Sequence, residues 1–246
     1  MDDTIIAGSA TITGHQTDPI EAYVARPQRP GPRGGVVVIH HMPGYDTATK
    51  EITRRFATLG YDAVCPNLYS REAPGADPDD AAATARALGG VPDDPLVGDV
   101  GGAADYLRSL DSSNGKVGVI GYCSGGRQAF LAGVSLPVDA AVDCYGAFVV
   151  GTPPEGHPLQ VRPLVDRAPD LRCPLLGLFG ADDQYPSPAQ VEELDAALRD
   201  AGKEHEFHTF EGAGHGFFAV DRPGYRPAAA SEGWSLIGDF FGRHLS

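Results

Sequence analysis

Lysine is almost missing from this chain of 246 residues, standing only at positions 50, 116 and 203, so arginine carries most of the positive charge. Asp and Glu number 33 against 19 Lys and Arg, a formal net charge of −14. A surface so short of cations argues against nucleic acid or an anionic membrane as natural partner. Cysteine is scarce too. Cys65, Cys123, Cys144 and Cys173 are widely spaced with no CxxC pair, which points to reduced thiols in a cytoplasmic protein rather than to a disulfide framework. No apolar run approaches a membrane span. The start, Met1-Asp2-Asp3-Thr4, has no basic segment followed by an apolar one, so no signal peptide is expected. What is left is an ordinary globular composition, 42% hydrophobic and 21% charged, expected to fold as one domain over 1–246.

Apolar patterning predicts short strands over 4–13 and 20–25, then a buried strand over 35–40. A helix over 45–59 stops at Gly60, and a strand over 61–66 stops at Pro66. Beyond a loop over 70–80 lie a short Ala-rich helix and a longer one over 96–110. Strands follow over 116–120, 140–145, 174–180 and 205–210, with helices over 124–134, 188–201 and 226–245. The stretch 146–170 is irregular, with five prolines, and is a candidate lid or substrate-selecting loop. Strands alternating with helices imply an α/β fold: a mostly parallel central sheet of about eight strands, helices on both faces. Chemistry in such a sheet collects in loops past the carboxyl ends of the strands.

Gly121-Tyr122-Cys123-Ser124-Gly125 joins a strand to a helix through the spacing of a nucleophile elbow, with cysteine at its tip. The sharp turn exposes the central side chain, and the helix N-terminus favours a thiolate. A carboxylate and a histidine should then follow later strands. They do: Gly180-Ala181-Asp182-Asp183 comes after one and Gly214-His215-Gly216 after the next. The order nucleophile, acid, histidine is that of α/β-hydrolases. Cys123, Asp183 and His215 are therefore the candidate catalytic residues, with Asp182 the competitor for the acid. Backbone N–H groups of Ser124 and of Met42, in the loop His40-His41-Met42-Pro43-Gly44, are the candidate oxyanion hole, since Pro43 has no N–H.

The chain resembles the dienelactone hydrolase (carboxymethylenebutenolidase) family of α/β-hydrolases from about position 36 to 241. The resemblance is carried by Ala63-Val64-Cys65-Pro66-Asn67-Leu68-Tyr69, Ala73-Pro74-Gly75, Ser113-Asn114-Gly115-Lys116-Val117-Gly118, Gly121-Tyr122-Cys123-Ser124-Gly125-Gly126 and Gly214-His215. It implies an α/β-hydrolase fold, the triad Cys123–His215–Asp183, and hydrolysis of a small lactone bearing a carboxylate. Two departures bear on that substrate. His41 stands where the family places a glutamate that helps ionise the thiol, and Ala219 stands where it places an arginine.

The expected function is cleavage of a small ester or lactone, anionic if an arginine serves it, through a thioacyl-enzyme and with no cofactor. Rival readings are a cysteine-dependent thioester or peptide hydrolase and a non-catalytic ligand-binding protein on a hydrolase scaffold. Arg222, and behind it Arg226, Arg71 and Arg127, are the candidates for docking an anion. Tyr145 and Phe217 are candidates for the pocket wall. One role for His41 is to sit beside the Cys123 sulfur and, when protonated, favour thiolate; the alternative is packing or hydrogen bonding within its loop. A metal site on His40, His41 and His215 is not expected. His205 and His208 read as solvated residues on opposite faces of a strand. Oligomeric state is open.

Overall fold

The computed structural model describes residues 4–246, so the N-terminal reading over Met1–Asp3 lies outside the described residues. One eight-stranded sheet runs in the order β1-β2-β4-β3-β5-β6-β7-β8. Its strands are β1 Ile5–Thr13, β2 Pro19–Pro27, β3 Arg33–Ile39, β4 Asp62–Pro66, β5 Ser113–Tyr122, β6 Ala140–Cys144, β7 Leu175–Gly180 and β8 His205–Phe210. The β1/β2 and β2/β4 pairings are antiparallel, and every pairing from β4 to β8 is parallel. Helices α1 (Thr47–Thr58), α2 (Pro78–Ala87), α3 (Asp93–Arg108), α4 (Ser124–Ser135), α5 (Pro188–Asp200) and α6 (Pro227–His244) connect and close the sheet.

The continuous apolar runs of the central strands follow from burial on both faces. In β3, Val37 and Ile39 join a core beneath α3 and α4, whereas Val36 and Val38 point to the opposite core against α1 and α6. Phe56 of α1 and Phe241 of α6, both fully buried, meet at 5.9 Å and cement that second layer. Burying side chains of this size stabilises by about 1.5–3 kcal/mol each. Asp46 starts α1 by accepting the Thr49 N–H at 2.8 Å, and Ser187 with Gln190 forms a capping box on α5.

β8 is the last strand of the sheet, yet its histidines are not solvated as the sequence predicts. His205 has a side chain only 10% exposed, because α5 brings Asp195 to 2.9 Å from its Nε2. His208 lies toward α6, where its Nε2 is buried without a protein partner. These neighbours come from α5 and α6, distant in sequence, which a six-residue pattern cannot reveal. The segment after β6 is irregular up to a 3-10 turn at Val165–Asp170, and it folds back over the carboxyl edge of the sheet. No helix among the described residues is long and apolar enough to cross a membrane.

Candidate active site

Loops after β3, β5, β6, β7 and β8 converge at that edge. β5 ends at Tyr122 and α4 begins at Ser124, which leaves Cys123 alone in the turn with φ 59° and ψ −124°. Such a conformation costs a residue with a Cβ about 1–3 kcal/mol and persists only where the surroundings impose it. Here the Cys123 N–H donates to the Cys144 carbonyl at 3.1 Å, and the Gly126 N–H donates to the Cys123 carbonyl at 2.9 Å. A Cβ on Gly121 would run into the Gly125 carbonyl, and one on Gly125 into the Ile39 carbonyl. The two glycines let strand, turn and helix cross in contact.

Cys65, Cys144 and Cys173 are buried, and burial pushes each thiol up, Cys173 to about 12. Cys123 is half-buried and opens into a cavity of about 350 Å³. His215 reaches the same cavity from the loop after β8, its Nδ1 2.9 Å from Oδ2 of Asp183. Asp183 is almost fully buried, and its other oxygen accepts the Tyr185 N–H at 2.9 Å. Asp182 is exposed at the cavity rim. Cys123 stands on the same cavity wall and acts electrostatically on the imidazole. Burial alone would lower the imidazole pKa. The Asp183 hydrogen bond and the charges of Asp183 and Cys123 outweigh it and raise His215 to about 10.

Met42 and Ser124 both line the cavity. Ser124 is the first residue of α4, where backbone N–H groups have no acceptor within the helix. Across from them stand Ala147, Phe148, His157 and Leu159 of the 146–170 segment, together with Tyr185. Among the described residues no arginine or lysine lines this cavity.

Other candidates lie elsewhere. Arg127 is buried in a two-pronged contact with Asp93, 2.9 and 3.1 Å, and donates to the Arg162 carbonyl. Arg71 is held by Asp99 and Asp18, while Arg226 donates to the carbonyls of Gly212, Pro223 and Tyr225. Arg222 is exposed beside Asp221, away from the cavity. Phe217 is fully buried in the layer between the sheet and α6, so it supports the site without forming its wall. Tyr145, with φ 44°, packs its ring 5.2 Å from that of His215 from behind. His41 turns away from the thiol cavity and bonds Asp46, Nε2 to Oδ2, at 2.7 Å. His40 is buried, with Nδ1 2.9 Å from the His41 carbonyl and Nε2 accepting the Leu68 N–H; burial lowers it to about 4. No group of three or more His, Cys, Asp or Glu among the described residues could hold a metal ion.

Sequence reasoning passed over Asp143. Fully buried at the end of β6, it accepts the Gly146 N–H at 2.7 Å and so pins the turn carrying Tyr145 to Phe148. Burial raises its carboxyl to about 7, against the Gly146 hydrogen bond and the charge of His215. A lone carboxylate inside a strand's apolar run was the available signal.

The model of the dienelactone hydrolase family matches residues 20–245. A protein of Escherichia coli (strain K12) named "Putative carboxymethylenebutenolidase" is 37% identical over 250 residues, 98% of this chain and 88% of that protein. A carboxymethylenebutenolidase of Pseudomonas putida is 33% identical over 215 residues, 85% of each. Among solved structures, a "Putative Dienelactone Hydrolase" from Klebsiella pneumoniae superposes with a TM-score of 0.86 at 31% identity, covering 98% of this chain and all of that one. Elbow, sheet order and full-length likeness agree, and the chain belongs to the dienelactone hydrolase family of hydrolases.

Proposed function

We propose that this hydrolase cleaves a small, uncharged ester or lactone through a thioacyl intermediate on Cys123. The observation that carries the reading is His215 bonded to Asp183 through Nδ1 and sharing one cavity wall with the Cys123 thiol, which acts on it electrostatically. An imidazole raised to about 10 supports a thiolate–imidazolium pair at neutral pH. The Cys123 sulfur attacks the acyl carbon, and the carbonyl oxygen gathers charge toward the N–H groups of Met42 and Ser124. The C–O bond then breaks, and the leaving oxygen takes the proton from His215. Neutral His215 next removes a proton from water as the water attacks the thioester. The C–S bond breaks, the acid departs, and the thiolate–imidazolium pair is restored.

His215 is already engaged by the thiol and Asp183, and no arginine or lysine among the described residues lines the cavity, which favours an uncharged substrate over a carboxylated one. Phe148, His157 and Leu159 support a substrate-selecting role for the 146–170 segment. The test is turnover of p-nitrophenyl acetate and butyrate, small neutral lactones, and cis- and trans-dienelactone by wild type and Cys123→Ser. Neutral substrates should turn over with Cys123 dependence and exceed the dienelactones in kcat/KM. Dienelactones leading by tenfold would sink the uncharged-substrate reading. Turnover unaffected by Cys123→Ser would sink the thioacyl mechanism.

A further inference from the structure

A second cavity, of about 290 Å³, lies on the other side of the elbow and shares no lining residue with the first. Tyr122, directly before Cys123, and Tyr145, whose ring backs His215, form its inner wall. Ile52, Phe218 and Trp234 complete an apolar, mostly aromatic chamber. That shape and lining suit a flat ring in a small-molecule site.

Of the polar groups in the wall, which also include His41, Thr49, Glu51 and Asp221, two stand out. Tyr122 is 5% exposed, and its hydroxyl is buried with no protein partner. Burial raises its phenol well above the usual range, so it is a neutral donor that needs an acceptor; Arg55 acts electrostatically on the same group in the opposite sense. The Arg55 guanidinium sits 3.9 Å over the Trp234 ring at the cavity edge. The other charges around the cavity are already matched: His41 with Asp46, Glu51 with Arg54, and Asp221 with Arg222. Arg55 forms no ion pair among the described residues.

We propose that this second cavity binds a small planar monocarboxylate, its ring among Ile52, Phe218, Tyr145 and Trp234, its carboxylate shared by Arg55 and the Tyr122 hydroxyl. A guanidinium presents paired donors to a carboxylate, and the phenol supplies a third. The site is independent of the thiol chemistry and stands whether or not Cys123 acylates.

Trp234 is the single tryptophan of the chain, so its fluorescence reports on this cavity directly. Benzoate is the probe, with benzyl alcohol as its uncharged counterpart. Benzoate should change Trp234 emission saturably, and calorimetry should give the same Kd. Arg55→Gln, at an exposed position with no ion pair to lose, should weaken benzoate at least tenfold. Tyr122→Phe should weaken it a few-fold, and Ala48→Phe, which fills the cavity while keeping Arg55, should abolish it. Alkylation of Cys123 with iodoacetamide should leave the Kd unchanged. No saturable signal in wild type overturns the proposal, as does an Arg55→Gln protein that binds as tightly. Loss of binding on alkylation would place benzoate in the thiol cavity and overturn it equally.

Discussion

Two histidine–aspartate pairs flank the elbow, and they have nearly the same geometry. His215 and Asp183 are 2.9 Å apart, His41 and Asp46 2.7 Å. The surroundings differ. Asp183 is almost fully buried and its second oxygen serves its own loop, whereas Asp46 is 19% exposed and its second oxygen caps α1. His215 shares its cavity wall with the Cys123 thiol, while His41 faces a cavity that no thiol lines. Such a pair by itself is structural; a third group, held at a strained turn, is what gives it chemistry to do. The two pairs also act in opposite pH windows. The raised imidazolium of His215 favours the folded state fully below about 6.5, and that contribution fades as pH rises through about 10. Burial pushes Asp46 up, but hydrogen bonds from His41 and the Thr49 N–H bring it down to about 2. Its contribution is complete above 3.8 and fades as pH falls through about 2.

The largest expected effects strike the first pair. Cys123→Ala and His215→Ala should each lower kcat/KM on p-nitrophenyl acetate by about 10³-fold or more, and the double variant should be hardly worse than either, because the groups act as one unit. Additive losses would mean that thiol and imidazole work separately. Asp183→Asn should cost about 10²- to 10⁴-fold in kcat. It should also move the imidazole titration, followed by the pH dependence of Cys123 alkylation, from about 10 toward the ordinary histidine range. A loss below threefold would make the Asp183 pair as structural as its counterpart.

The second pair should answer in stability rather than in rate. Asp46→Ala removes a helix cap together with the His41 bond, and should destabilise by about 1–2 kcal/mol. For a chain of this length that is a fall in Tm of about 2–8 °C. The gap between wild type and variant should be full at pH 4 and above, and should narrow as pH falls toward 2. A gap that is instead largest near pH 2 would show that the carboxylate is not the stabilising form.

How much of this was legible follows from where each signal is stored. The strands of the parallel core declare themselves as apolar runs, and the elbow and both loop residues after β7 and β8 stand at readable spacings. Choosing Asp183 over Asp182 depended on one residue's place in a turn; in the fold His215 Nδ1 lies 2.9 Å from Asp183 and Asp182 is at the rim. The arginines were opaque because their partners are distant in sequence: Arg127 finds Asp93, and Arg71 finds Asp99. Phe217 and Tyr145 follow alternations that loops do not preserve; Tyr145 bends through a positive φ that leaves its ring behind His215. Asp143 was hidden because a carboxylate is rarely expected inside a buried strand.

The smallest expected effect is the one that most sharpens the contrast. The sequence allowed His41 to sit against the Cys123 sulfur and govern its ionisation; the fold places it on the second cavity, bonded to Asp46. His41→Ala should therefore leave the pH profile of Cys123 alkylation within about twofold of wild type at every point. Its cost should be a modest loss of stability, on the order of 0.5–1 kcal/mol, as Asp46 loses a partly exposed partner but keeps the Thr49 N–H. Thermal denaturation beside the alkylation series separates the two readouts. Should the alkylation profile shift while Tm stays put, the imidazole would be acting on the thiol after all. The difference between the two pairs would then lie in distance and not in kind.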